Sequence, residues 1–398
     1  MTQADPTEAF FTLLRAGLWN EAADNERLFN QDTDWNVLLT LAEQQTVSGL
    51  VADAIFRLPA ELQPATDTLR KLTGQVAAIA RRHALLNNRL VEVVGLLQAE
   101  GIHPVLLKGQ GVATLYPHPM LRMCGDIDLY IGKENYPRAC RLLRKRNGEE
   151  TPYTESEKHF HTTFGGVTVE LHRIAEKLSN PWQDARFQRW STDHLQEDQT
   201  DIVHIEGKEI QVPSVCVNAV YIFNHLWHHF IAGGIGLRQL CDWVMVLHRF
   251  YEKSDLAELK ERLTSFGLWR AWRIFGCITV KELGLPEAEF PFFDASLRPQ
   301  ADKVLARILS EGNFGKYNTA QSGRPDGIIT GKLHSLRYIS SRIIGIASVS
   351  PLRAAEYYAR FLVQGIKGLI QALTGMGFHY SETEKKTENK DKRINIEQ

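Results

Sequence analysis

Gly125-Asp126-Ile127-Asp128-Leu129 is the stretch on which the reading of this chain turns. On an extended strand, successive side chains point to opposite faces. Asp126 and Asp128 then share one face, while Ile127 and Leu129 turn to the other, into a core. Two neighbouring carboxylates repel each other and are costly to desolvate together. A divalent cation removes that cost. Mg²⁺ (or Mn²⁺) suits one or two carboxylates, with phosphates and water completing the shell. A surface strand with two solvated acids carries the same pair, so the neighbouring residues have to decide.

Upstream, Ile102-His103-Pro104-Val105-Leu106-Leu107 is short and apolar, as a buried strand is. Lys108-Gly109-Gln110-Gly111 makes a turn, and helical spacing resumes from Val112 to Tyr116. Backbone N–H groups where a helix begins bind phosphate, and glycine lets the phosphate come close. Downstream, Val167, Val169 and Leu171 alternate with Thr168, Glu170 and His172. Set beside the Asp126 strand, that polar face adds Glu170 as a third carboxylate; a solvated sheet face would alternate in the same way. Lys108 and Arg122 supply cations, either to neutralise phosphate charge or to pair with the acids.

Working outward, the pattern predicts a mixed α/β core between two helical regions, an α+β fold with a small mixed sheet. Residues 1–100 read as helices, at 8–17, 34–44, 46–57 and from Asp67 to Glu100. The last is a single stripe of Val76, Ile79, His83, Leu86, Leu90, Val93 and Leu97, stopped by Gly101. Residues 101–212 form the core. It holds a strand from Gly125 to Ile131, a basic helix at 134–147, a hairpin turning at Gly165-Gly166 and another turning at Glu206-Gly207-Lys208. Residues 213–378 are helical again: 214–231, 237–250, 254–266 between Ser254 and Gly267, 269–284, 298–311, 332–345 and 351–373. Residues 379–398 are charged and poor in large apolar groups, a composition expected to stay disordered.

Bulk properties narrow the function classes. With 43% hydrophobic and 23% charged residues the composition is that of a globular protein. The net charge of −1 gives no global basic field, which argues against a large nucleic-acid partner. Five scattered cysteines with no Cys-x-x-Cys pair suggest free thiols in a reducing cytoplasm rather than a disulfide or zinc framework. The start of the chain lacks a signal-peptide pattern, and no run reaches the ~20 apolar residues of a membrane span.

Weaker candidates surround this centre. His159 and His161 share a strand face, as a transition-metal site would require. His225 and His229 lie four apart, as do Arg238 and Asp242, so each pair shares a helix face. Such pairs usually bind helix to helix. Arg353, Arg360 and Lys367 lie on a helix whose pattern fits a membrane surface or a packed core equally.

Together, Leu107-Lys108-Gly109, Leu115-Tyr116-Pro117, Pro119, Arg122, Gly125-Asp126-Ile127-Asp128-Leu129 and Val169-Glu170-Leu171-His172 resemble the bacterial uncharacterised nucleotidyltransferase family. That family lies within the superfamily of the DNA polymerase beta-like fold. Abortive-infection nucleotidyltransferase toxins carry a similar pattern. The resemblance spans residues 35–285. It implies a mixed sheet whose acids Asp126, Asp128 and Glu170 hold metal and act catalytically. It further implies a nucleotide site at Lys108, Gly109, Gln110, Arg122, His172 and Arg238. Much of the superfamily has Gly-Ser or Gly-Gly where this chain has Gly109-Gln110. The implied activity is metal-dependent transfer of a nucleoside monophosphate from a nucleoside triphosphate, ATP among them, to an acceptor hydroxyl, with release of pyrophosphate. The acceptor stays open: a small molecule, a peptide, a protein or RNA. The rival readings are a toxin-like enzyme that modifies RNA or protein and an inactive nucleotide-binding scaffold.

Overall fold

The computed structural model describes residues 5–363, apart from 24, 26, 149–150, 252–254, 318–327, 348, 352 and 360. The chain divides into a unit of residues 1–319 and a second of residues 320–398.

A seven-stranded mixed sheet forms the centre of the first unit. Its strands are β1 (Val105–Leu106), β2 (Asp126–Tyr130), β3 (Tyr153–Glu155), β4 (His159–Phe164), β5 (Val167–His172), β6 (Thr200–Ile205) and β7 (Lys208–Pro213). They lie in the order β3-β4-β5-β2-β1-β7-β6. The β2–β5 and β1–β7 pairs are parallel and the others antiparallel. Helices α1 (Pro6–Trp19), α2 (Trp35–Gln44), α3 (Ser48–Phe56) and α4 (Thr66–Ala99) precede the sheet. Within it run α5 (Gln110–Ala113), α6 (Gly132–Asn147) and α7 (Pro181–His194). After it come α8 (Val215–Ala232), α9 (Leu237–Phe250), α10 (Leu256–Ser265), α11 (Trp269–Leu283) and α12 (Arg298–Glu311). The second unit holds α13 (Ile328–Ala347), with residues 353–359 and 361–363 also helical.

The alternation read from the sequence explains the core. Ile127 and Leu129 of β2, and Val167, Val169 and Leu171 of β5, pack with Leu86, Leu90, Val93 and Leu97 of α4. Tyr136, Ala139, Cys140 and Leu143 of α6 join them. Val76 and Ile79, expected on the same α4 stripe, are only half-buried. The hairpin β4–β5 turns on Gly165 and Gly166, both at positive φ, as a two-residue turn requires. The five cysteines, all among the described residues, form no disulfide. No described helix is long and apolar enough to cross a membrane.

The structure differs from the sequence reading in several places. Strand β1 pairs over two residues only, because Pro104 has no N–H to donate to a ladder. Helix α5 begins at Gln110 rather than Val112, since Gly109 turns the chain at φ +66°, a region that residues with a β-carbon rarely adopt. Strand β3 is too short for alternation to reveal. Helix α7 went unread although Asn180 caps it and Pro181 opens it, because only Phe187, Trp190 and Ser191 are buried along it. Asp255 caps α10, accepting from the N–H groups of Ala257 and Glu258; the expected cap, Ser254, lies outside the described residues. The charged segment 379–398, the end of the 351–373 helix, Arg360 and Lys367 lie outside them too. Arg353 is buried and pairs with Glu356 at 3.4 Å.

Two buried polar side chains tie helices to the core. Gln45 donates to the carbonyls of Ile308 and Leu309 and accepts from the N–H of Leu237, joining the end of α2 to α9 and α12. Asp242 of α9 holds the β1–β2 connection. Its carboxylate accepts from Tyr116 Oη at 2.7 Å, Arg122 Nε at 2.8 Å and Arg122 Nη2 at 2.7 Å. Arg122 and Asp242 are 5% and 6% exposed, so neither charge has water to fall back on. Removing one partner of such a pair strands the other, at a cost of about 3–5 kcal/mol. Urea denaturation of Asp242→Ala is therefore expected to show a loss of about that size, with most of it recovered when Arg122→Met is added.

Candidate functional site

The parallel register of β2 and β5 assembles the polar cluster. Asp126 lies beside Thr168, Asp128 beside Glu170 and Tyr130 beside His172. Side chains of paired residues lie on one face within contact distance. His172 Nε2 lies 3.1 Å from Asp128 Oδ1 and 3.3 Å from Glu170 Oε2. Lys108 Nζ, from the turn after β1, lies 3.3 Å from Asp128 Oδ1. Asp128, Glu170 and His172 each offer a ligand atom, all within 4.8 Å of one another. Asp126 stands two residues along the same strand face, half-buried.

The charges are unevenly compensated. Burial works to raise the Asp128 carboxyl, but Lys108 and the hydrogen bond from His172 hold it below its ordinary value. Glu170 goes the same way: burial opposes its charge, and His172 and Lys108 outweigh burial. Lys108 is pushed up, because Asp128, Asp126 and Glu170 together outweigh its own desolvation. His172 is raised despite burial by its two carboxylate partners. Asp126 moves in the opposite sense to its neighbours. The charge of Asp128 and then burial raise it, and Lys108 offsets them only in part. The cluster thus keeps surplus negative charge.

Asp128 Oδ2 is buried with no hydrogen-bond partner among the described residues. An unpartnered buried carboxylate oxygen beside surplus negative charge is what a divalent cation would relieve. Asp128 and Glu170, with Asp126 beside them, therefore fit such an ion.

The other residues singled out in the sequence fall into two groups. Gly109 and Gln110 sit at the turn next to Lys108, and the Gln110 side chain is buried with its amide nitrogen and oxygen unpartnered among the described residues. Arg238 donates through Nη1 to the carbonyl of Met123 at 2.8 Å, and its charge still acts to lower the Asp126 carboxyl. His159 stacks obliquely on His172 with ring centres 5.3 Å apart, and His161 pairs with Glu170 across β4–β5. Arg122 is not brought to the cluster. Its guanidinium is bound to Asp242, with the remaining arm on Met123 O and Cys124 Sγ.

Three residues of the site were not read from the sequence. Glu176 and Lys158 form a 2.9 Å ion pair beside it. Tyr221 of α8 buries its hydroxyl without a partner among the described residues; burial first, and then the charges of Glu176, Asp128 and Glu170, push its ionisation up. Glu176 lies in an irregular segment, and Tyr221 is on a helix apolar nearly all round, so neither carries a periodic signal. A cavity of about 1010 Å³ between α7 and α10 is lined by residues such as Arg186, Arg189 and Lys260. It shares no lining residue with the carboxylate cluster.

A family described as "Uncharacterised nucleotidyltransferase" matches residues 31–281. Among solved structures, an antigenic nucleotidyltransferase-like protein from Paracoccidioides brasiliensis aligns with 13% identity and a TM-score of 0.32. The alignment covers 53% of this chain and 95% of that one. No curated protein matches significantly.

The uneven compensation gives opposite expectations for the two aspartates in metal-free protein. A carboxyl whose pKa is raised by folding loses stability as pH rises through its folded value, so ionised Asp126 is destabilising at neutral pH. Asp128, lowered by folding, contributes stability that is lost only as pH falls through its folded value. In a chelator at pH 7, Asp126→Asn is expected to raise Tm. Asp128→Asn, which removes the buried carboxylate that Lys108 and His172 both meet, is expected to lower stability by about 3 kcal/mol. Thermal denaturation followed by circular dichroism checks both.

Proposed function

This chain belongs to the uncharacterised nucleotidyltransferase family, and on that premise we propose that it transfers a nucleoside monophosphate from a nucleoside triphosphate to an acceptor hydroxyl, releasing pyrophosphate. The observation that carries the reading is the pairing of Asp128 with Glu170 across parallel strands, with Lys108 on the same carboxylate. Phosphoryl-type transfer asks a protein mainly for positioning and charge stabilisation, and this cluster supplies both kinds of group.

Asp126, Asp128 and Glu170 would hold the divalent cation, Mg²⁺ or Mn²⁺. When bound, such an ion neutralises phosphate charge and makes an oxygen nucleophile more acidic. Lys108 meets the triphosphate directly, its ammonium kept charged by three carboxylates. The turn through Gly109 and Gln110 brings backbone close to the phosphates, and the unpartnered Gln110 amide has both a donor and an acceptor to offer. His172 keeps Asp128 and Glu170 ionised and oriented through hydrogen bonds to both. Arg238 adds positive charge near Asp126. Arg122 serves from a distance, fixing the connection that carries the site to Asp242.

Incubation with each of the four nucleoside triphosphates and Mg²⁺, with pyrophosphate release and mass spectrometry of candidate acceptors as readouts, tests the proposal. Turnover is expected with at least one nucleotide, falling at least ~100-fold in Asp128→Asn and Glu170→Gln. Turnover unchanged in both variants would remove this cluster from the mechanism. Nucleotide binding without turnover would mark the chain as a binding protein instead.

A further inference from the structure

Behind Lys108 lies a second line of buried polar groups that the proposed chemistry does not use. Lys108 Nζ is 3.1 Å from His225 Nε2 on α8. His225 Nδ1 is 3.1 Å from Glu176 Oε2. Glu176 is 1% exposed. Its other oxygen accepts from Lys158 Nζ at 2.9 Å and from the N–H of Lys177 at 3.0 Å. Its backbone carbonyl accepts from Gln188 Nε2 at 2.6 Å, which fastens the segment to α7. These contacts give the Glu176 carboxylate one position.

The donor and acceptor roles along this line follow from the groups at its two ends. An ammonium only donates, and an ionised carboxylate only accepts. Between them, His225 must carry its proton on Nδ1, donated to Glu176, and accept from Lys108 at Nε2. The geometry points to Glu176 as a positioning residue for Lys108, acting through the Nδ1–H tautomer of His225. Lys108 has three N–H groups: His225 takes one, Asp128 faces a second, and the third is left for a phosphate oxygen. With the other tautomer, His225 would present an N–H to the ammonium and turn Lys108 aside. Burial, and then the charge of Lys108, hold His225 well below the usual imidazole range, so the ring stays neutral as this arrangement needs. Burial opposes the Glu176 charge, but Lys158 and His225 hold its carboxyl well below the ordinary range, so it stays an acceptor.

The inference rests on the nucleotidyl-transfer reading only for the identity of the anion that Lys108 meets. Its test has two readouts on the full-length protein: ¹⁵N spectra of histidine-labelled, metal-free protein, in which His225→Gln identifies the His225 signals, and calorimetric binding of inorganic triphosphate with Mg²⁺, which needs no knowledge of the base. In wild type, His225 is expected to be protonated at Nδ1 and bare at Nε2. In Glu176→Ala the proton moves to Nε2 and triphosphate affinity falls about ten-fold, as for other outer-sphere partners of functional histidines. Glu176→Gln keeps an acceptor for Nδ1–H and restores both readouts. His225→Gln offers Lys108 a carbonyl oxygen that needs no tautomer, so adding Glu176→Ala in that background changes affinity less than about two-fold. The wild-type spectrum keeps the test decisive should a variant not fold. An Nε2–H His225 in wild type, or equal losses from Glu176→Ala in both backgrounds, overturns the positioning role. Wild-type protein that binds no triphosphate overturns the nucleotidyl-transfer reading and the role of Lys108 with it.

Discussion

Parallel pairing of β2 with β5 is the constraint on which the rest of the site depends. The two strands are separated in sequence by α6, β3 and β4, and their register sets Asp128 directly beside Glu170. Side chains alternate with a period of two, so a slip of one residue would turn Glu170 into the core and Val169 out of it. The apolar residues guard against that slip. Ile127, Leu129, Val169 and Leu171 all lie in one core cluster with residues of α4 and α6, and a one-residue slip would turn a strand's apolar set out of it. The same contacts that stabilise the core thus hold three carboxylates together against their repulsion.

The fold answers that repulsion incompletely. Lys108 and His172 stabilise Asp128 and Glu170, but Asp126 is left with its ionisation disfavoured. A sheet selected for stability alone would gain by losing one acid. The surplus charge is instead kept on the strand that the β1–β2 connection leads into, and that connection is clamped to α9 by Asp242. Arg122 and Asp242 carry opposite charges 2.7 Å apart, so the clamp adds no net charge beside the cluster.

Much of this was legible from local pattern. The Asp126–Leu129 alternation, the glycine turn at Gly109, the β4–β5 hairpin and the polar face bearing Glu170 and His172 need only two-residue periodicity and the conformational freedom of glycine. The helices of the flanks followed from apolar spacing and capping. Elements without such a signal were not legible: β3 has three residues, and α7 buries little of its length.

The sequence by itself determined which side chains share a face, because that is a matter of backbone geometry over a few residues. Only the tertiary structure decided which charges meet. Arg122 is four residues from Asp126 yet pairs with Asp242, 120 positions away. Lys108 joins Asp128 and, 117 positions on, His225, which leads in turn to Glu176. A buried charge must find its partner wherever the packing of helices and strands delivers one, since leaving it unpaired costs more than almost any single contact returns. That choice is made across the fold, where spacing along the chain carries no information.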